Sequence, residues 1–174
     1  MSSHYKTRRG TDRLNALARA AAWSGSVASA ASMAVLAYFG RRERKGMAPM
    51  NAPSHWLWRE ESLRERGFTV RHTVAGYLIH HGSSVFWAVP FEYLLLEGPH
   101  RPRRIAVLGL TLAAVAAGVD LKLTPKRLTP GFERHLDGSS LAIVYGVFGL
   151  ALGAAHALRC EQCRSLRKGR HPGC

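Results

Sequence analysis

Residues 73–97 are apolar for most of their length, yet they include histidine, serine and glutamate side chains. Helical spacing places His81, Ser84 and Glu92 on one face, because positions 81 and 92 are about three turns apart. His80 points about 100° away from that face, so the two adjacent histidines do not form one chelate. Ionisable groups at membrane depth are costly to bury and tend to face the protein interior or water. The stretch therefore predicts a buried polar stripe.

Two further ionisable residues, Asp120 and His156, lie near the ends of other apolar stretches. The short side chain of Asp120 cannot reach far toward water. We expect it to pair with Lys122 or Arg127, or to lie in the interior of a bundle. His156 lies close to one boundary of its apolar segment, on roughly the same helical face as Tyr145.

Cysteine usage is sparse, with 3 residues that include the pair Cys160 and Cys163. A CxxC motif alone supplies two ligands, whereas structural zinc takes four. His156 and His171 would complete a Cys2His2 set. Without further support, no cofactor is predicted here.

Polar residues in two connections form a second candidate set, at the membrane surface. Asn51, Ser54 and His55 stand beside tryptophans, which favour the headgroup layer. Lys126 and Arg127 follow a Thr-Pro step and are suited to binding an anionic headgroup. The alternative for His55 is a loop residue that is hydrogen-bonded nearby. Ser54 is in position to cap a short amphipathic helix that runs through Arg66 and ends at Gly67.

Four apolar blocks organise the chain. A helix of about 20 residues crosses the ~30 Å hydrocarbon layer, and each block is close to that length. The sequence predicts an all-α fold, an integral membrane four-helix bundle with a short interfacial helix in its first long loop. The membrane domain covers 16–158, between a basic N-terminal segment (1–15) and a basic C-terminal tail (159–174). The predicted helices are 16–39, 73–97, 105–123 and 138–158.

The turns between the blocks favour sequential antiparallel packing, because 98–104 and 124–137 are short. Small residues recur at helical spacing in three of the blocks and predict close helix contacts. These residues are Gly25, Ser29 and Ser32, then Gly109, Ala113 and Ala117, then Gly149 and Gly153. The first block follows a basic segment and contains an Ala-Ser-Ala sequence. A cleaved signal peptide is therefore one interpretation. We favour a retained helix, because apolar sequence continues beyond the Ala-Ser-Ala sequence.

The balance of charge is strongly basic, with 25 Lys and Arg against 11 Asp and Glu and a net charge of +14. The basic residues stand at the ends of apolar blocks, as membrane anchors do. That placement disfavours nucleic acid and favours anionic lipid headgroups as partners. The two sides of the predicted topology carry nearly equal numbers of basic residues, so charge does not decide orientation. A reduced CxxC motif and a basic tail favour cytoplasmic termini.

Three segments carry a resemblance to known proteins. NAPSHWLW at 51–58, the HH pair followed by FWAVPFEYLL, and LTPKRLTPGFE at 123–133 resemble small uncharacterised polytopic inner-membrane proteins of bacteria. The resemblance covers roughly residues 20–158. It implies a bacterial inner-membrane location and no particular chemistry, since no established activity attaches to that group.

Three functions fit the polar residues. The first is a structural or accessory membrane protein without catalytic activity. Its histidines and Glu92 would hydrogen-bond helices together, and its partner would be another membrane protein or a second copy. The second is a small transporter whose path is lined by His81, Glu92 and Asp120, since histidine titrates near neutrality. The third is a haem protein with axial histidines. No motif of a hydrolase, P-loop or dinucleotide enzyme is present.

Overall fold

The computed structural model of the chain is mostly helical. It describes the backbone of residues 2–96 and 98–169 and the side chains of residues 11–96 and 98–162. Within those ranges there is no strand, so the all-α prediction is confirmed. The α-helices are α1 (Ser2–Arg42), α2 (Ala48–Asn51), α3 (His55–Trp58), α4 (Glu60–Arg64), α5 (Ala75–Leu96), α6 (Pro102–Gly118) and α7 (Gly138–Gly169).

Three of the described helical segments are long and apolar enough to cross a membrane, and they suggest a membrane protein. They are Thr11–Arg42, Pro102–Leu123 and Gly138–Gln162. Helix α5 is not among them, although it has 22 residues. His80, His81 and Glu92 lower its hydropathy.

The four long helices pack side by side. Helix α1 lies against both α5 and α7, and α7 also packs along α6, whereas α5 and α6 touch over a short length only. Glycines permit the closest approaches. A Cβ at Gly25 would lie 2.7 Å from the Cα of Val85, and one at Gly149 would lie 2.5 Å from the carbonyl oxygen of Gly109. Small residues at these crossings bring backbones into direct contact.

The two ends of the chain are more helical than the apolar blocks alone indicate. Helix α1 begins at Ser2, ahead of the predicted span at 16–39, and α7 continues to Gly169, beyond the predicted span at 138–158. No proline interrupts residues 2–42 or 138–169, so each helix continues past its apolar part. His171 lies outside the described residues, and of Cys163 only the backbone is described.

The first long connection is folded, but not as one helix through Arg66. It consists of α2, a 3-10 turn (Ala52–Ser54), α3 and α4. Arg59 separates α3 from α4 with a φ of +53°, a left-handed conformation that ends a helix. Ser54 donates its hydroxyl hydrogen to the carbonyl of Asn51 at 2.8 Å instead of capping α3. The single short helix predicted here is therefore replaced by several helical turns.

Both π-helical turns of the described chain lie at ends of long helices. Val70–Val74 leads into α5, and Val119–Leu123 extends α6. The second connection then reaches a 3-10 turn (Phe132–Arg134) before α7 begins. Asp137 caps α7 by accepting the backbone N–H of Ser140 at 2.7 Å, which lowers the pKa of Asp137 below its usual range.

Candidate functional site

A cap built from residues 47–67 and 124–136 closes one end of the bundle. The indole N–H of Trp56 donates to the carbonyl of Thr129 at 2.9 Å. The glycine turn of the second segment lies on the first, because a Cβ at Gly131 would meet the Ala52 carbonyl oxygen at 2.8 Å. Gly131 also has a φ of +84°, which favours glycine. Two of the three segments that carry the resemblance thus interlock with each other.

Asn51 holds the cap to the start of α5. Its amide NH2 donates to the carbonyls of Glu65 at 2.9 Å and Gly67 at 3.0 Å, and its carbonyl oxygen accepts from the Thr73 hydroxyl at 2.6 Å. Asn51 is fully buried. A buried amide with all these partners is a structural residue, because its removal would leave each partner without a hydrogen bond.

The predicted interfacial residues do not form one open site. His55 is buried, and its Nδ1 lies 2.8 Å from the carbonyl oxygen of Ala52. Ser54 is buried with Asn51. Lys126 and Arg127 are exposed. The buried three hold the cap together, and only the two basic side chains face outward.

A large cavity lies between α5, the end of α6, α7 and the cap. Its volume is about 580 Å³. Most of its wall is apolar, including Trp87 from α5 and Phe148 from α7. Leu78 and Phe86 also line it and are nevertheless 60% and 67% exposed. The cavity therefore opens sideways along α5, where that helix and α6 are not in close contact.

Two hydrogen-bonded pairs supply polarity to this cavity. The Tyr145 hydroxyl donates to the Asp120 carboxylate at 3.1 Å, so Asp120 does not depend on Lys122 or Arg127. Nε2 of His80 lies 2.9 Å from the Ser32 hydroxyl oxygen. All four side chains line the cavity.

The Ser32 contact favours one tautomer of His80. The Ser32 hydroxyl has one hydrogen, and the carbonyl of Ala28 is 2.8 Å from its oxygen, a short donor contact. The hydroxyl then accepts from His80, whose Nε2 carries the proton in the neutral ring. Nδ1 of His80 is left as a hydrogen-bond acceptor. Asp120 and His80 therefore both offer acceptors in an apolar cavity.

The predicted stripe on α5 is divided between different partners. Ser84 donates to the His80 carbonyl at 2.8 Å, and the His81 ring lies beside Tyr77 at a tilt of 32°, with ring centroids 5.7 Å apart. Buried Nδ1 of His81 has no hydrogen-bond partner among the described residues. Glu92 does not meet His81; it accepts from Nδ1 of His156 at 2.8 Å, with both side chains buried.

The polar groups form two separate sets along α7. Tyr145 and Asp120 mark one set and His156 and Glu92 the other, and positions 145 and 156 are about 16 Å apart along a helix. Asp120 and Glu92 thus belong to different sets. The sequence also gave no indication of His100, whose Nδ1 lies 3.0 Å from Nε2 of His156. Comparison with protein-family models, curated proteins and solved structures finds no match.

Proposed function

We propose that this chain is a four-span accessory protein of the bacterial inner membrane that binds an amphiphile from the bilayer in its sideways-opening cavity. The observation that carries the proposal is the cavity of about 580 Å³, which combines an apolar wall with the polar side chains of Asp120 and His80. A large apolar pocket with a few convergent polar groups is the usual form of a small-molecule site. The bacterial location rests on the resemblance of the two cap segments.

The character of α5 supports a fourth span. Its 22 residues would extend about 33 Å, enough for the ~30 Å hydrocarbon layer. Its polar side chains Ser84 and Glu92 are buried in the protein, whereas Phe86, Val89 and Leu94 are exposed. A helix that turns apolar side chains outward and polar side chains inward is suited to contact with lipid.

The opening of the cavity supports a ligand that arrives through the bilayer. Leu78 and Phe86 stand at its exposed edge, on the outward side of α5. With α5 across the membrane, that edge faces hydrocarbon and not water. An apolar chain then passes from lipid into the cavity without crossing an aqueous phase.

The polar groups favour a ligand whose head donates hydrogen bonds. Asp120 is an acceptor, and His80 has its accepting nitrogen available once Nε2–H is given to Ser32. An amine head satisfies both groups and also offsets the carboxylate charge at membrane depth, where an unpaired charge is costly. Long-chain amines and lipids with amine headgroups form the proposed ligand class.

Tryptophan fluorescence in lipid nanodiscs tests this function. Trp56 and Trp87 line the cavity, so a brominated long-chain amine bound there quenches them. We expect the amine to quench at lower mole fraction than a brominated alkyl sulfate of the same length. The net charge of +14 would by itself favour the sulfate. Asp120→Asn is expected to weaken the amine effect about tenfold, a loss of about 1.4 kcal/mol.

A matched pair of glycine substitutions provides the control. A side chain at Gly82 would project into open space at the cavity wall, and one at Gly118 would also meet nothing within 4 Å but does not line the cavity. Gly82→Leu should therefore reduce quenching, and Gly118→Leu should leave it unchanged. Equal quenching of the original chain and Gly82→Leu would contradict the proposal.

A further inference from the structure

The second polar set lies at the opposite end of the bundle from the cap. His156 and Cys160 are one turn apart on α7, so their side chains share a face. His100 reaches them from the connection between α5 and α6. The donor atoms of His100, His156 and Cys160 all lie within 4.8 Å of one another. We propose that these three side chains bind a zinc-class divalent metal ion, at a site separate from the amphiphile cavity.

The spacing of the donor atoms suits a tetrahedral ion. Nε2 of His156 lies 3.0 Å from Nδ1 of His100 and 3.5 Å from Sγ of Cys160. Zinc bonds of about 2.0–2.3 Å at tetrahedral angles place ligand atoms about 3.3–3.6 Å apart. Two of the three donor separations are thus close to those around a tetrahedral ion, and the third is within 4.8 Å.

The contacts at Nε2 of His156 suit a shared ion. Nε2 of His156 has one lone pair when Nδ1 donates to Glu92, yet both His100 and Cys160 approach it. One ion accepts all three lone pairs at once. On binding, the Cys160 thiol proton passes to solvent, and the proton between the two imidazoles moves to Nε2 of His100.

Glu92 is the positioning residue of the site. Its carboxylate accepts Nδ1–H of His156 at 2.8 Å, and the two side chains are 3% and 5% exposed. A carboxylate behind a metal-binding histidine fixes the ring and the tautomer and makes the other nitrogen a better ligand. This gives a role to a buried glutamate that the amphiphile cavity does not use.

The fourth coordination position faces open space. A cleft of about 320 Å³ between α6 and α7 has His100, Cys160 and Glu161 in its wall. Three protein ligands with an accessible fourth position are the pattern of zinc sites that bind water or a small ligand. The fourth ligand is therefore water or a small anion that enters through the cleft.

Cobalt titration of the full chain tests the site. The protein is purified in detergent without a polyhistidine tag, stripped with a chelator and titrated with Co²⁺. We expect one Co²⁺ per chain with the visible absorption of a tetrahedral ion and a thiolate-to-cobalt band, and displacement by Zn²⁺. Cys160→Ser should remove the thiolate band, whereas Cys163→Ser should retain it. His100→Ala should weaken binding at least tenfold.

Glu92→Gln distinguishes positioning from ligation. We expect about 10–100-fold weaker Co²⁺ binding with the thiolate band still present at saturation. An octahedral spectrum without a thiolate band in the original chain would mean adventitious binding and would overturn the proposal. So would a thiolate band that survives Cys160→Ser. Neither result would bear on the quenching experiment for the cavity, so the two proposals fail separately.

Discussion

Buried polar residues in this molecule divide into those that hold the backbone and those that face a space. Asn51 belongs to the first group, with hydrogen bonds that connect three separate parts of the chain. Asp120 and His80 belong to the second, because they line the cavity. Composition does not distinguish the groups, since both combine polar side chains with apolar surroundings. The partners decide which residues are structural.

Asn51→Ala should destabilise the protein by about 3 kcal/mol, because two carbonyls and the Thr73 hydroxyl lose their partner in a buried place. Unfolding in mixed detergent and dodecyl sulfate measures the change. Asn15→Ala, at an exposed position of α1, is the matched control and should shift stability by less than about 0.5 kcal/mol. Similar losses of unfolding free energy in both variants would contradict a structural role for Asn51.

At the scale of elements, glycine pairs set how close the helices lie. Gly109 and Gly149 face each other where α6 crosses α7, and Gly153 is next to Ile105. The repeat of small residues along each sequence predicts such contacts but not which helices meet. The structure shows that the small residues of α6 meet those of α7, whereas Gly25 of α1 meets α5.

Gly149→Ala should destabilise the bundle by about 1–3 kcal/mol, because the added methyl would lie 2.5 Å from the Gly109 carbonyl oxygen and 2.9 Å from the Cβ of Ala113. Gly146→Ala lies on the same helix and would meet nothing within 4 Å. That control should gain up to about 1 kcal/mol from reduced chain entropy. The same unfolding assay compares them, and equal effects would show that the crossing is not tight.

Sequence periodicity indicated faces well and neighbours poorly. It placed Glu92 on an inward face of α5, which agrees with its burial. It did not place Glu92 against His156, because pairing across helices depends on how α5, α1 and α7 are arranged. His100 lies in a short loop without helical spacing. The one available signal was the four-residue separation of His156 and Cys160, which puts both donors on one face of a helix.

On the whole-molecule scale, the topology depends on α5. Three other helices meet the length and hydropathy needed to cross a membrane. If α5 crosses as well, both termini lie on one side and the cap lies on the other. The proposed metal site is then on the side of the termini. If that side is the cytoplasm, as the sequence predicts, a thiol ligand there stays reduced.

Single cysteines in a background without native cysteines test that topology. Phe68 and Arg127 are exposed near the cap, and Arg101 is exposed at the other end of α5. In intact spheroplasts, an impermeant maleimide should label Phe68→Cys and Arg127→Cys but not Arg101→Cys. If α5 does not cross, Phe68→Cys and Arg101→Cys would share the same labelling behaviour.

The interlocked cap has a consequence for how the protein is made. Trp56 and Thr129 are hydrogen-bonded across 73 positions of sequence. A ribosome adds about 5–20 residues per second, so the first half of the cap waits about 4–15 s for the second. In the proposed four-span topology, the hydrophobic side chains around Trp56 have no cover on the far side of the membrane during that interval. Assembly in that topology therefore includes a defined period in which a chaperone or protease on that side can recognise the unfinished chain, and the period ends when α6 has crossed and the cap closes.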